Sequence, residues 1–440
     1  MNCTNPRPLI PNPKPPTPNP MLIIQKKLSN LFYLIIGLPS TAMGFALSIQ
    51  IAVLSWILRT KFNLEIDQIG IVWAAGPIAG ILGQPLVGLI SDKMWFWGGR
   101  RKPFIIIGGI LAALMIFALP NIGRINDFFG IGSLMAVAVT IALTLDLSIN
   151  ISFNPTRSII ADVTPDGQPR TKGYTWMQSV SNLFGSGAYL MGALISNYFL
   201  IYAGVLIVFL FSVVPLFFIE EPRELTKSAD DKGIVSNTKT QWGELFKLYL
   251  AHSFSWLGIQ TMFVYIFAFL EQKMPSMQNL PEAERNANLG QLIGWSFFIL
   301  NAVGAIWPAF LLEPMSKTVG RVRTQALMVG TMSAGYFGIV FLASSPFMLY
   351  AMMCVLTLGW AAVVSLPFAI MSEKVDKSRM GFFMGIFNLS VVLPQLVASL
   401  AIGRVISHAA DKSIVFIISG FSLAISAFLW LFVSEKKKTE

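Results

Sequence analysis

Apolar stretches of bilayer-crossing length recur along the whole chain, at about 29–58, 67–91, 103–120, 129–160, 173–196, 198–219, 248–271, 288–312, 324–344, 347–371, 380–405 and 412–433. Each is near or above the roughly 20 residues that a helix needs to cross a bilayer, so the pattern predicts an all-α polytopic membrane protein with twelve transmembrane helices. The longest polar connection, Glu220 to Lys247, falls midway and separates two groups of six. The organisation expected is a proline-rich leader (1–24), a six-helix bundle (25–219), a central loop (220–247), a second six-helix bundle (248–434) and a basic tail (435–440). The leader, with its many prolines and few apolar groups, reads as extended chain, and no cleavable signal is expected before the first span.

One stretch breaks the apolar pattern. LDLSINISFNPTRSIIAD, 145–162, carries ionisable groups at membrane depth. Wound as a helix, it brings Asp146, Asn150, Phe153 and Arg157 onto one face, with Asp146 and Arg157 about 16 Å apart along the axis, while Asp162 falls on the other side. Near the bilayer centre a carboxylate costs at least about 2.5 kcal/mol, so Asp146 is expected to face a wet cavity and to work there. The alternative is a structural pair satisfied by a neighbouring helix. Against it, Asn150 and Arg157 continue the polar stripe toward one helix end instead of closing around the acid. Pro155 cannot donate to the helix ladder and is expected to kink this span.

Composition narrows the class. Of 440 residues 54% are hydrophobic and 12% charged, with a mean hydropathy of +0.65, against about 25% charged in ordinary soluble proteins. The net charge of +10 does not point to nucleic acid. Most of the 32 lysines and arginines cluster in alternate loops, a bias that sets orientation and predicts both termini on the cytoplasmic side of the cell membrane. Two cysteines and two histidines are too few for a disulfide framework or a metal cluster. An intramembrane enzyme would need a nucleophile–base pair or paired acids in reach, and only Asp146 and Arg157 lie at depth. A membrane sensor is the remaining reading from another class, though the loops leave little room for a signalling domain.

The halves echo each other. After span two come Asp92, Gly99 and the basic cluster Arg100–Arg101; after span eight come Glu313, Gly320 and Arg321. After span four Asp162 precedes Arg170 and Gly173, and after span ten Glu373 precedes Arg379 and Gly381. Asp92, Arg100, Arg101, Asp162, Glu313, Arg321, Glu373 and Arg379 are read as gating residues. In particular, Asp92 is expected to lock neighbouring helices through Arg100 or Arg101.

The segment GPIAGILGQPLVGLISDKMWFWGGRRKPFIIIGG at 76–109 resembles the second and third spans of the proton-coupled sucrose transporters of plants and their animal and bacterial relatives in the major facilitator superfamily. LDLSINISFNPTRSIIAD at 145–162, SLPFAIMSE at 365–373 and GFFMGIFNLSVVLPQLVASL at 381–400 match them as well. The resemblance implies the major facilitator fold, in which two six-helix halves enclose a site near the midplane. It also implies that Asp146 is the proton and sugar site and that Arg157 is required for transport. Residues 288–312 depart from the plant pattern, offering only Asn288, Gln291 and Asn301 as strongly polar side chains.

Uncharged amides within spans suit sugar hydroxyls, which need both donors and acceptors. The candidates are Gln50, Gln84, Gln178, Asn182, Gln260, Gln291, Asn388 and Gln395, with Trp256 among the tryptophans that can stack on a pyranose face. The expectation is a monomeric secondary transporter carrying a neutral sugar in symport with protons, without a cofactor and without nucleic acid. Sodium coupling and proton-coupled export of another metabolite remain open. His252 is expected to be structural.

Overall fold

The computed structural model describes residues 25, 27–81, 94–165, 168–222, 240–375 and 380–435. Among them the chain is helical, apart from one isolated bridge between Phe96 and Gly99. The helices are α1 (Asn30–Thr60), α2 (Ile66–Ile81), α3 (Lys102–Ala118), α4 (Leu134–Val163), α5 (Gln168–Leu194) and α6 (Asn197–Val213). After the central connection come α7 (Trp242–Lys273), α8 (Glu282–Gly304), α9 (Arg321–Leu342), α10 (Pro346–Ser372), α11 (Met380–Val397) and α12 (Ile414–Trp430).

Among the described residues eight helices are long and apolar enough to cross a membrane: α1, α4, α7, α9, α10, the stretch Lys102–Phe129 that opens with α3, the stretch Asn197–Phe217 that opens with α6, and the stretch Ile386–His408 that overlaps α11. The apolar helices α2 and α12 are shorter, while α5 and α8 have the length but carry polar side chains along it. These four stand where the remaining crossings are expected. Local chemistry explains the starts: serine side chains at Ser29, Ser133, Ser196 and Ser345 accept from the third amide beyond them and open α1, α4, α6 and α10, satisfying N–H groups that have no partner within the helix. Pro155 lies inside α4, which runs on through it to Val163.

α1 packs along α5 and α6, and α3 along α4 and α6; α7 packs along α12 and α11, and α9 along α10 and α12. Connections alternate between two faces. The terminal face carries Gln25, Glu221 and Glu435; the loop face carries the α1–α2, α5–α6 and α7–α8 turns. Polar contacts between the α1–α6 and α7–α12 groups lie toward the loop face. There Ser55 Oγ donates to Val264 O (2.9 Å), Trp56 Nε1 to Asn286 O (2.7 Å), and Arg59 Nε to Glu271 Oε2 (3.2 Å). Backbone closeness matters at Gly70 on α2, where a Cβ would fall 2.2 Å from Ser399 O beyond α11; any larger residue would push the two groups apart.

Candidate functional site

Asp146 is buried, 8% exposed, at the meeting of α1, α2 and α4. Gln50 on α1, itself buried, donates from Nε2 to Asp146 Oδ2 at 2.8 Å. From α2, Gly76 faces the carboxyl so closely that a Cβ there would stand 3.2 Å from Oδ2 and 3.3 Å from Oδ1. Asp146 makes no ion pair among the described residues. Gln50 Oε1 is buried without a hydrogen-bond partner among the described residues. One turn along α4, the Asn150 amide donates to the Asp146 carbonyl at 2.8 Å.

Arg157 lies farther along the same face and is exposed. Its guanidinium sits over the Phe153 ring, 4.1 Å from the centroid, a cation–π contact that orients the charge without neutralising it. With Tyr174, Thr175, Met177, Gln178 and Ser179 it lines an open cavity of about 550 Å³ near the terminal face. Gln178 and Asn182 are exposed on α5, joined by a 2.9 Å Nε2–Oδ1 hydrogen bond. Their exposure explains why α5 is polar for a crossing helix. It coats this open space.

In the second helix group, Trp256 and Trp360 meet edge to face at 6.2 Å, and the Phe263 ring lies tilted at 5.4 Å from Trp360. Trp256 Nε1 donates to His252 Nε2 at 3.0 Å, and the His252 ring lies flat on Phe387 at 4.8 Å, so this histidine is packed in place. Gln260 is buried on α7, and Asn388 and Gln395 are half-buried on α11. Gln84 lies outside the described residues.

Gln291 differs from expectation. It is exposed in a separate cavity at the loop face, because α8 begins at Glu282 and nine residues of helix rise only about 13 Å. It does not join Asp146. Two pairs form among the described gating groups. Arg101 Nε binds Asp162 Oδ2 at 3.1 Å in a buried pair, and Arg321 Nη1 binds Glu373 Oε1 at 2.6 Å. Glu313 instead takes Lys317 of its own helix at 2.6 Å on the surface, one turn away and without a bond to Arg321. Arg100 donates its side chain to Pro222 O at 3.4 Å; Asp92 and Arg379 lie outside the described residues.

Spacing alone missed Glu221 and Glu435. The Glu221 carboxylate accepts from the backbone N–H groups of Arg100, Arg101 and Lys102 (2.8, 2.9 and 2.8 Å), and Glu435 accepts from Arg321 (2.6 Å) and Val322 (3.4 Å). The signal was available: an acid stands just past span six and just past span twelve.

Helices of this number and hydropathy, in two groups meeting toward one face, make this a multi-pass membrane protein. Residues 38–399 match the family model described as Major Facilitator Superfamily, and the chain belongs to that superfamily. It is 21% identical over 435 residues to a sucrose transport protein of Arabidopsis thaliana, covering 86% of this chain and 85% of the relative. It is 24% identical over 402 residues to another of Oryza sativa subsp. indica, covering 76% and 78%. In fold it is similar to the nucleoside transporter NupG (TM-score 0.71, 13% identity, covering 92% of this chain and 99% of that one) and to the xylose transporter XylE from E. coli (TM-score 0.67, 15% identity, 92% and 97%). The protein is accordingly a secondary transporter.

Proposed function

We propose that the protein moves a neutral sugar, sucrose or a related mono- or disaccharide, together with protons by alternating access. The observation that carries this reading is the Asp146 carboxyl, buried with a neutral amide as its hydrogen-bond donor and, among the described residues, no cation paired to it. A carboxyl in such a place changes charge with its surroundings, so its proton traffic can follow the state of the cavity. Gln50 Oε1, left without a donor, offers an acceptor to a sugar hydroxyl beside the acid. The relatives named as sucrose transport proteins favour the same substrate class.

Arg157, Gln178 and Asn182 meet solute entering from the terminal face, and Trp256 and Trp360 supply an aromatic wall. With the two helix groups joined near the loop face and the cavity open near the termini, this conformation is the inward-facing one if both termini are cytoplasmic, as the distribution of basic residues favours. Arg101–Asp162 and Arg321–Glu373 act at the gate, and the protein works as a monomer in the cell membrane with the proton as its coupling ion.

Labelled sucrose uptake into proteoliposomes tests the proposal. Accumulation under an inward proton gradient, with none under a sodium gradient, is the expected result. Accumulation driven by sodium alone, or efflux only, overturns it.

A further inference from the structure

A second cavity lies at the loop face, remote from Asp146. It has a volume of about 460 Å³, within the roughly 300–1,000 Å³ of small-molecule sites. It is built from both helix groups: Trp56, Asn197 and Tyr198 from one, Asn286, Gly290 and Gln291 from the other. Asn197, the first residue of α6, is 4% exposed, and both its Oδ1 and Nδ2 are buried without hydrogen-bond partners. An amide buried with donor and acceptor both unmet is costly, so its persistence needs a reason.

The surroundings preserve space for it from two sides. A Cβ at Gly192 would fall 2.8 Å from Asn197 Oδ1, and one at Gly290 would fall 2.7 Å from Asn197 Nδ2. Beside the amide stand Trp56, whose indole meets the Tyr198 ring edge to face at 5.5 Å, and the exposed amide of Gln291. No carboxylate lines the cavity. Its one cation, Lys61, donates its ammonium to the Pro120 carbonyl at 2.6 Å.

We infer that this cavity is a second binding site, for a small neutral polyhydroxylated molecule. A hydroxyl both donates and accepts, as do the exposed Gln291 amide and the unmet Asn197 amide in the cavity wall, and the exposed Tyr198 ring offers an apolar face to the ring carbons of such a solute. Because the walls come from both helix groups, the ligand binds only while they are together at this face. It therefore holds the transporter closed there and slows its return to the state open on this side. The site is independent of the proposal for Asp146.

The test uses the full chain in proteoliposomes with Cys3 and Cys354 replaced by serine, and a single cysteine at Ala287, an exposed lining residue. An impermeant maleimide is applied to the loop face with and without glucose as the probe. Glucose is expected to slow labelling saturably, about tenfold at ten times its Kd, with no effect on a cysteine at Glu282 outside the cavity. Protection should vanish in Asn197→Leu and weaken in Gln291→Ala, an exposed position that folding tolerates, and it should persist in Asp146→Asn. Absence of protection, or protection that survives both cavity substitutions, overturns the inference. Loss of protection in Asp146→Asn alone also overturns it, by tracing the effect to the central site. Sucrose uptake is scored separately, so failure here leaves the Asp146 reading standing.

Discussion

Glu221 and Glu435 do the same thing a half-chain apart: each carboxylate, from just past the last helix of its group, caps the N-terminus of that group's third helix. Gly99 and Gly320 make the approach possible, since a Cβ would lie 2.5 Å from Glu221 Oε1 or 2.2 Å from Glu435 Oε2. Hydrogen bonds from backbone N–H groups to a carboxylate at a helix N-terminus are stabilised by the dipole as well as by charge. Glu221→Ala removes three such bonds and should cost about 1–3 kcal/mol, and Glu435→Ala, with one short and one long bond, should cost less. Thermal melts in detergent measure the order, and the reverse order contradicts the caps as described. Gly320, at φ +92°, should tolerate alanine worse than Gly99, because it adds backbone strain to the collision.

The two ion pairs at the terminal face look equivalent in sequence but differ in depth. In Arg101–Asp162 the side chains are 9% and 10% exposed, against 37% and 48% in Arg321–Glu373. Removing one partner of a buried pair strands a charge and costs about 3–5 kcal/mol, whereas an exposed pair contributes about 0–1 kcal/mol. Arg101→Ala should therefore destabilise the protein far more than Arg321→Ala. Equal losses would show that burial does not set their worth.

The helical architecture was legible because bilayer-length apolar runs leave few alternatives, and Asp146 was legible because a charge inside such a run is costly. Its partner was half legible: Gln50 stood among eight amides with nothing to single it out, since the pairing joins α1 to α4 across 96 positions. Gly76 gave no signal at all, because its role is the absence of a side chain against another helix. Gln291 reads from sequence as an amide within span eight because apolar character begins at 288, while the polar first turn of α8 from Glu282 projects beyond the apolar run. The Glu313 assignment failed for a different reason. Spacing equates it with an acid of the other half, but a lysine four residues on captures it first.

Gly76 supplies a test of how tightly the acid is enclosed. Its Cβ-less face lies against both Asp146 oxygens, so Gly76→Val should collide with the carboxyl and stop uptake while leaving expression and melting nearly unchanged. Gly76→Ala, at 3.2 Å, should reduce uptake in part. Normal uptake by the valine variant would mean that α2 is free to move away from α4.

Orientation is checked with single cysteines at Pro222 and Ala283, both exposed. An impermeant thiol reagent should label the first only in inside-out vesicles and the second only in right-side-out ones. The opposite pattern would place the termini outside and turn the open cavity into an outward-facing one.

The Gln50–Asp146 hydrogen bond separates binding from coupling. Asp146→Asn keeps a hydrogen-bonding group of the same shape but can neither take up nor release a proton, so it should abolish accumulation driven by a pH gradient while sugar exchange survives in part. Gln50→Leu leaves the acid able to carry its proton but removes its 2.8 Å donor and the unpartnered Oε1 beside it. A hydrogen bond to a charged group is worth about 1.5–3 kcal/mol, so sugar affinity should fall about tenfold or more while uptake remains proton-driven. Arg157→Lys keeps the charge but loses the planar stacking on Phe153 and should slow the cycle without uncoupling it. Counterflow and pH-driven uptake, measured side by side, distinguish the three. If Asp146→Asn still concentrates sugar with an unchanged dependence on pH, the proton travels by another group.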